Sequence, residues 1–299
     1  MLDIKVGADP EFFVETNGSI IPAVNMVAGT KYDPLACIKG AMQVDGLALE
    51  FNIDPATSED EFVEHIVTVR DQTLNAAKAN SGLDLMISRA VGHRFGMDTL
   101  RNLPREATIL GCEFDYRMDG RRNNTSEEEA QDYRCTGGHV HIGWGEDMDV
   151  EERSGHFIDT CGIAKLCWYL LEKPLRLKMY FDAVSEGNQR DAIQAAHADV
   201  VRQGLYGGNG AFRPKSYGME YRGLSNAWIH EERYIRYVYR RVQLIMVMVQ
   251  EGILDDQTKM NNLGTIHFNP PASEYQARYS AERSHFVDAY RRFDPRITI

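Results

Sequence analysis

The chain has 299 residues, 43% of them hydrophobic and 26% charged, which is typical of a globular protein with a sizeable core. Its 33 basic and 44 acidic residues give a net charge of −11. This charge argues against a nucleic-acid groove, because phosphate binding there depends on lysine and arginine. Five cysteines without a CxxC pair indicate free thiols in a reducing compartment. No targeting peptide opens the chain, and no apolar run approaches the roughly 18 residues of a membrane span, so we expect a cytoplasmic protein.

The first predicted strand, Leu2 to Glu15, carries two acidic side chains on one face. Asp9 and Glu11 are two residues apart, and side chains alternate between the faces of a strand. Pro10 between them cannot donate a ladder hydrogen bond, which is typical of an edge, a bulge or a stretch that faces a ligand. Two solvated carboxylates on an edge strand are the alternative. Asn17-Gly18 then predicts a hairpin turn.

A second strand region, Ala41 to Pro55, repeats this pattern, with Asp45-Gly46 as its predicted turn. Glu50 and Asn52 share a face, while the other face is apolar. An acidic group on so apolar a strand is costly to bury without a cation.

Hydrophobic spacing and end signals predict the elements that carry no motif. They are a helix from the Ser58–Glu61 capping box to Ser81-Gly82, strands at 83–91 and 109–116, a polar loop at 117–131, a helix at 151–171 continuing over 175–181 after a kink at Pro174, and helices at 189–202, 231–251 and 273–293.

A third strand is predicted in the sequence Cys135 to Trp144, which contains Gly137-Gly138-His139-Val140-His141. His139 and His141 share a face, and two imidazoles on a rigid strand can bind a metal, or a metal and a phosphate. The two glycines allow close approach to the backbone. The alternative is a pair of hydrogen-bonded histidines in a polar sheet.

The fourth strand, Ser216 to Leu224, places Glu220 and Arg222 on one face. A surface ion pair is the alternative there. The glycine-rich stretch before it ends in Arg213 and Lys215. It either cradles phosphate or is a plain loop.

Four polar pairs, far apart in sequence, indicate one face of a curved antiparallel sheet that surrounds hard cations. Oxygen-rich sites prefer Mg²⁺ or Mn²⁺ to zinc. Magnesium in turn indicates a nucleotide, since it usually keeps substrate phosphates among its ligands. Arg222 would then stabilise charge on a transferring phosphoryl group.

The order Asp-x-Glu, Glu-x-Asn, Gly-Gly-His-x-His-x-Gly and Glu-x-Arg resembles the carboxylate–amine ligases of the glutamine synthetase and glutamate–cysteine ligase superfamily. The phage-type COOH·NH2 ligases, or amidoligases, are the most similar, over residues 3 to 250. The resemblance implies an α+β fold in which helices cover the convex face of a curved antiparallel sheet. It implies one catalytic domain over 1–299, with a C-terminal extension, 255–299, of unknown role.

The chemistry implied is ATP-dependent amide formation through an acyl phosphate, with Mg²⁺ or Mn²⁺. By resemblance the metal ligands are Asp9, Glu11, Glu50, His139 and Glu220. The catalytic residues are Arg222, Glu50 and His139. The nucleotide-binding residues are Arg222, Arg213, Lys215, His141 and Asn52, of which Arg213 and Lys215 are inferred from proximity in sequence only. Many relatives carry glutamate where this chain has Asp9, and the shorter arm could weaken one metal.

Two other functions stay open at this point. One is a metal-dependent cupin-type enzyme with His139, His141 and Glu146 as ligands. The other is a non-catalytic, nucleotide-binding phage protein. For the ligase, the expected partners are ATP, a small carboxylate and an amine from an amino acid, a peptide or a cell-wall fragment. We expect no nucleic acid and no membrane. A phage-encoded chain would act in the host cytoplasm, and the oligomeric state stays open.

Overall fold

The computed structural model describes residues 3–108, 114–123 and 132–263. The chain forms two compact units, residues 1–256 and 257–299. Of the second unit, the described part is 257–263, which contains helix α8 (Gln257–Asn261). Most of the strand predicted at 109–116, the glutamate run of the loop at 117–131 and the helix predicted at 273–293 lie outside the described residues.

A seven-stranded antiparallel sheet lies at the centre of the larger unit. In spatial order its strands are β11 (Phe212–Lys215), β12 (Gly218–Tyr221), β10 (Gly138–Gly143), β1 (Lys5–Phe12), β6 (Ala48–Ile53), β5 (Gly40–Asp45) and β4 (Leu35–Cys37). The sheet is open, with β11 and β4 as its outer strands, and the fold is α+β without a closed barrel.

The two faces of this sheet differ in polarity because apolar and polar residues alternate along its strands. On one face, Val6, Val140 and Phe51 are fully buried. Helices α1 (Glu59–Ser81) and α4 (Gly155–Cys167) pack against the sheet, and α7 (Glu232–Gln250) packs against these two helices. The other face carries the acids and histidines of all four predicted polar pairs.

Strand β1 is central rather than an edge strand, although it contains Pro10. Its residues up to Pro10 pair with β10, whereas Glu11 and Phe12 pair with β6. Pro10 therefore lies at the point where β1 changes its pairing from β10 to β6. The missing N–H of Pro10 removes little ladder hydrogen bonding at that point.

Helix α1 forms as its end signals predict. The Ser58 side chain accepts a hydrogen bond from Glu61 N at 3.2 Å, and Gly82 ends the helix in the left-handed conformation. The carboxylate of Glu61 accepts from Thr57 N, one residue before the predicted partner. The Asn17-Gly18 turn also forms, with both residues at positive φ, and joins β2 (Val14–Thr16) to β3 (Ser19–Ile21).

The helix predicted at 151–171 begins later, because Ser154 caps α4 by accepting from Phe157 N. A single π-helical turn, Trp168–Glu172, then joins α4 to α5 (Lys173–Ser185). Pro174 falls in the first turn of α5, and the wider π turn accommodates a ring that would clash in an unbroken α-helix. Helix α6 (Gln189–Leu205) follows as predicted.

The prediction of a strand at 83–91 is wrong for most of its length. Only β7 (Met86–Ile87) forms there, and it pairs with β2. Beyond it, the Ser88 hydroxyl accepts from Ala90 N, a local bond that competes with a ladder. The remaining described elements are β8 (Gly92–Arg94) paired with β9 (Tyr133–Cys135), α2 (Met97–Arg101), α3 (Arg105–Thr108), and 3₁₀ turns at Asn226–His230 and Ile253–Asp255.

Within the described residues, no helix is long and apolar enough to cross a membrane. In the described ranges, the cysteines at 37, 135, 161 and 167 form no disulfide bond, and Cys112 lies outside those ranges.

Candidate metal and phosphate site

The register of the sheet brings the four polar pairs side by side. Asp9 lies opposite His139, and His141 lies opposite Glu220. On the other side of β1, Glu11 lies opposite Glu50. Neighbours directly opposite on antiparallel strands have their Cβ atoms about 5 Å apart, so these side chains meet above one face.

The first cluster consists of Asp9, His139 and Glu220, each of which offers a ligand atom within 4.8 Å of the others. His139 Nδ1 lies 3.4 Å from Asp9 Oδ1 and 3.7 Å from Glu220 Oε1. Burial alone would raise the pKa of Asp9, but the neighbouring His141 and His139 hold that pKa well below its ordinary value. Burial is likewise outweighed at Glu220, where Arg222 lowers the pKa. Both acids are therefore ionised at neutral pH.

The second cluster consists of Glu11, Asp45 and Glu50, again with ligand atoms within 4.8 Å of one another. Glu11 accepts from Gly137 N at 2.8 Å, and Glu50 accepts from Gln43 Nε2 at 2.7 Å. Burial and then the charges of Asp9 and Glu11 raise the pKa of Glu50 well above its ordinary value. Three carboxylates this close repel one another unless they share protons or a cation.

Both clusters fit a hard divalent cation. Their ligand atoms are carboxylate oxygens and one imidazole. Beside the second cluster, the buried Gln43 Oε1 accepts no hydrogen bond from the part of the chain that the structure describes. An unpartnered buried acceptor is rare and costly, and a cation in the second cluster would satisfy it.

Basic groups surround Glu220. The Arg222 guanidinium donates to Glu220 Oε1 through Nη1, which also lies 3.5 Å from His139 Nδ1. From β11, Lys215 Nζ lies 3.0 Å from Glu220 Oε2 and Arg213 Nη1 lies 3.6 Å from Glu220 Oε1. Glu220 and Arg222 are buried, so the pair is not a solvated surface ion pair. Three basic side chains beside the first cluster form a donor set that fits phosphoryl oxygens.

The remaining predicted residues lie at the margins of the clusters. His141 Nε2 lies 3.1 Å from Asp9 Oδ1, and its Nδ1 is hydrogen-bonded to the Tyr217 hydroxyl. Asn52 is half-buried on β6, opposite Ala41. Glu146 is exposed in a bend after β10 and belongs to neither cluster. The cupin alternative thus lacks both its closed barrel and its third ligand among the described residues.

The space beside the two glycines before His139 is occupied by other groups of the protein. A Cβ on Gly137 would lie well inside 3.0 Å of the His139 ring, and one on Gly138 would meet Ser225 O and the Trp228 indole. The ring of His139 therefore folds back over its own strand, and the close approach predicted from Gly137-Gly138 is internal.

Sequence reasoning missed several residues around the clusters: Gln43, Asp45, Asp115, Tyr206 and Tyr217. Gln43 and Asp45 stand two apart on β5, the same spacing used to choose the four pairs. Asp115 belongs to Glu113-Phe114-Asp115-Tyr116, which also alternates. The alternation of polar and apolar residues was present in these segments too, but only the register of the sheet shows which alternating segments face the site.

No protein-family model matches the chain, and no curated protein matches it.

Proposed function

We propose that the protein is an ATP- and magnesium-dependent carboxylate–amine ligase with a glutamine synthetase-like catalytic fold, a curved sheet whose concave face holds the site. The observation that carries the proposal is the pair of carboxylate clusters on one sheet face, with the buried Arg222 beside them. Two neighbouring hard-cation sites next to convergent basic groups are the arrangement that a transferring phosphoryl group requires.

The chemistry divides among this chain's residues. Asp9, His139 and Glu220 would hold one Mg²⁺, and Glu11, Asp45 and Glu50 a second. Bound cations would neutralise phosphate charge during transfer. A substrate carboxylate attacks the γ-phosphorus of ATP, the bond to the β-phosphate oxygen breaks, and ADP leaves. The amine then attacks the acyl phosphate, loses a proton and releases inorganic phosphate.

Arg222, Arg213 and Lys215 would bind the phosphates. Each is paired with Glu220, so bound ATP and cation would redistribute these contacts. His141 and Asn52 lie on the same face and would contact the nucleotide from its margin.

Screening amino acids and small amines for ADP release with ATP and Mg²⁺ tests this function. ADP, phosphate and amide should appear in equal amounts, and only when both substrates are present. ATP should bind much more weakly in excess chelator. Equal ATP affinity with and without Mg²⁺ would contradict the role of the clusters. Tight Mg²⁺-dependent ATP binding without turnover would favour the non-catalytic nucleotide-binding protein.

Glu220→Gln is the matched control for that screen. It is isosteric, removes one charge from the first cluster, and should abolish ADP release while far-ultraviolet circular dichroism stays unchanged. A variant with near-normal turnover would show that Glu220 holds no essential cation.

A further inference from the structure

We propose that Asp115 is a positioning residue, whose carboxylate holds the Arg222 guanidinium in the orientation that faces the first cluster. This inference rests on the proposed phosphoryl transfer for its consequence in turnover. Its geometric part concerns the contact between the two side chains alone.

Asp115 is 3% exposed and uses its two carboxylate oxygens for different donors. Oδ2 accepts from Arg222 Nε at 3.2 Å, and Oδ1 accepts from Asn123 Nδ2 at 2.6 Å. The Arg222 guanidinium thereby receives one acid at Nε and another, Glu220, at Nη1. Two acceptors at different nitrogens fix the rotation of the planar guanidinium, which one acceptor cannot do.

The segment 114–123 places Asp115 beside the sheet. Tyr116 and Phe212 exchange both backbone hydrogen bonds, at 2.9 and 2.8 Å, so the segment adds to the outer strand β11. Tyr116 packs against Phe157 and Phe212 on the helical side. Because neighbouring side chains on an extended segment alternate, Asp115 faces the polar side.

Asn123 secures the far end of this segment. Its backbone N donates to Asp115 O at 2.9 Å, in addition to the side-chain bond. The backbone bonds of Tyr116 with Phe212 and of Asn123 N with Asp115 O do not depend on the side chain at 123, and they fix the backbone of Asp115. A carboxylate on a backbone fixed in this way can position a long, flexible arginine within the narrow tolerance that phosphoryl transfer requires.

A merely structural buried ion pair would stabilise the fold without affecting orientation at the site. Asp115→Asn separates the two roles, because the amide replaces one of the two oxygens by an NH2 donor and so cannot accept at both positions, one facing Arg222 and one facing Asn123. Asn123→Ala is the matched control, since it removes the same neighbouring bond and leaves the Arg222 acceptor intact. Thermal unfolding of both variants shows whether they differ in stability.

The first measurement does not depend on activity. In ¹⁵N-labelled protein, the Nε–H signal of Arg222 is assigned by its loss in Arg222→Lys. We expect solvent exchange of this proton to accelerate at least tenfold in Asp115→Asn and less than twofold in Asn123→Ala. Unchanged exchange in Asp115→Asn overturns the proposal.

The second measurement is steady-state kinetics. Asp115→Asn should lower kcat at least tenfold with the KM for ATP within threefold, and Asn123→Ala should leave both unchanged. Added to Arg222→Lys, Asp115→Asn should lower kcat by less than a further threefold, because it acts through the same guanidinium. An unaltered kcat, or fully multiplicative losses, overturns the positioning role.

The two proposals fail separately. If no substrate pair gives ADP release with the parent protein, the ligase function fails, while the exchange of the Nε–H proton still decides whether Asp115 holds Arg222. If Asp115→Asn does not fold, Asp115→Glu replaces it, because this variant keeps the charge and displaces the oxygens by one methylene. Proton exchange and steady-state kinetics are then measured on Asp115→Glu.

Discussion

At the scale of single residues, Arg222 combines burial with three polar neighbours, two carboxylates and one imidazole. It is 5% exposed and contacts Glu220, Asp115 and His139. A guanidinium can serve such acceptors in one plane and still present parallel N–H groups to a phosphoryl oxygen, whereas an ammonium is a compact point charge. The shape of this group therefore matters at the site as well as its charge.

We expect Arg222→Lys to lower kcat by about 10²-fold or more, the scale for losing one transition-state donor. ATP affinity should change much less, because the nucleotide keeps its cations and other contacts. Steady-state kinetics with separately measured ATP binding tests this. A loss confined to ATP affinity would instead make Arg222 a ground-state anchor.

His230 gives a pH-dependent prediction away from the clusters. Burial, and then the charges of Arg89 and Arg70, lower its pKa from 6.5 to about 4, and its buried Nε2 has no hydrogen-bond partner among the residues that the structure describes. As the pH falls, the unfolded chain takes up this proton first, so the free energy of unfolding decreases between pH 6.5 and 4. The loss attributable to this shift is at most about 3 kcal/mol.

His230→Gln should therefore flatten the acid limb of a plot of unfolding free energy against pH, measured by denaturant titration. His197→Gln, on the exposed side of α6, should keep the parental slope. Identical slopes for parent and His230→Gln would mean that His230 is protonated in the folded protein.

At the scale of elements, the orientation of the His139 side chain on β10 depends on Gly137, the residue just before the strand. The His139 ring lies over Gly137, where a Cβ would meet its imidazole well inside 3.0 Å. Gly137→Ala should rotate the ring away from Asp9 and Glu220, since the end of a side chain moves more easily than backbone.

We expect Gly137→Ala to weaken Mn²⁺ binding, measured by electron paramagnetic resonance, at least tenfold with only a small loss of thermal stability. Gly143→Ala is the control on the same strand, because its Cβ would find its nearest atom, Lys5 O, at 3.6 Å, an ordinary contact. Equal Mn²⁺ affinity in both variants would remove His139 from the first cluster.

An element can be predicted from the sequence when the residues that determine it are neighbours in the chain. The Ser58 cap and the Asn17-Gly18 turn are set by neighbouring residues, and both form as predicted. Period-two alternation likewise shows which side chains share a face, so the polar pairs could be chosen. Asp115 could not be assigned in this way, because its segment joins the site through a bridge to β11, which is distant in sequence. Asp45 is next to Glu50 through the β5–β6 hairpin, but its approach to Glu11 depends on the pairing of β6 with β1. The π turn before Pro174 was foreseen only as a kink.

At the scale of the whole larger unit, the sheet separates an apolar face, covered by α1 and α4, from a face where carboxylates concentrate. The helical face provides the hydrophobic stabilisation that allows several acids to be held together on the other. Buried like charges lower the stability of the folded state until a cation joins them. The cation binding that we propose would therefore be coupled to the stability of the fold.

Glu50→Gln tests this coupling, because the two effects have opposite signs. The pKa of Glu50 is raised well above its ordinary value, so ionisation at neutral pH costs folding free energy, and removing the charge should raise the Tm in chelator by a few degrees. The glutamine also keeps an oxygen for Gln43.

With Mg²⁺ the order should reverse. A cation at a hundred times its Kd would stabilise the parent by about 2.7 kcal/mol, whereas Glu50→Gln would bind it more weakly and gain less. Scanning calorimetry of both proteins, with chelator and across a Mg²⁺ titration, measures the crossing. Glu64→Gln, an exposed site on α1, should match the parent throughout. If Glu50→Gln stayed equally stabilised at every Mg²⁺ concentration, Glu11, Asp45 and Glu50 would not form a cation site. Their proximity would then be maintained by a shared proton.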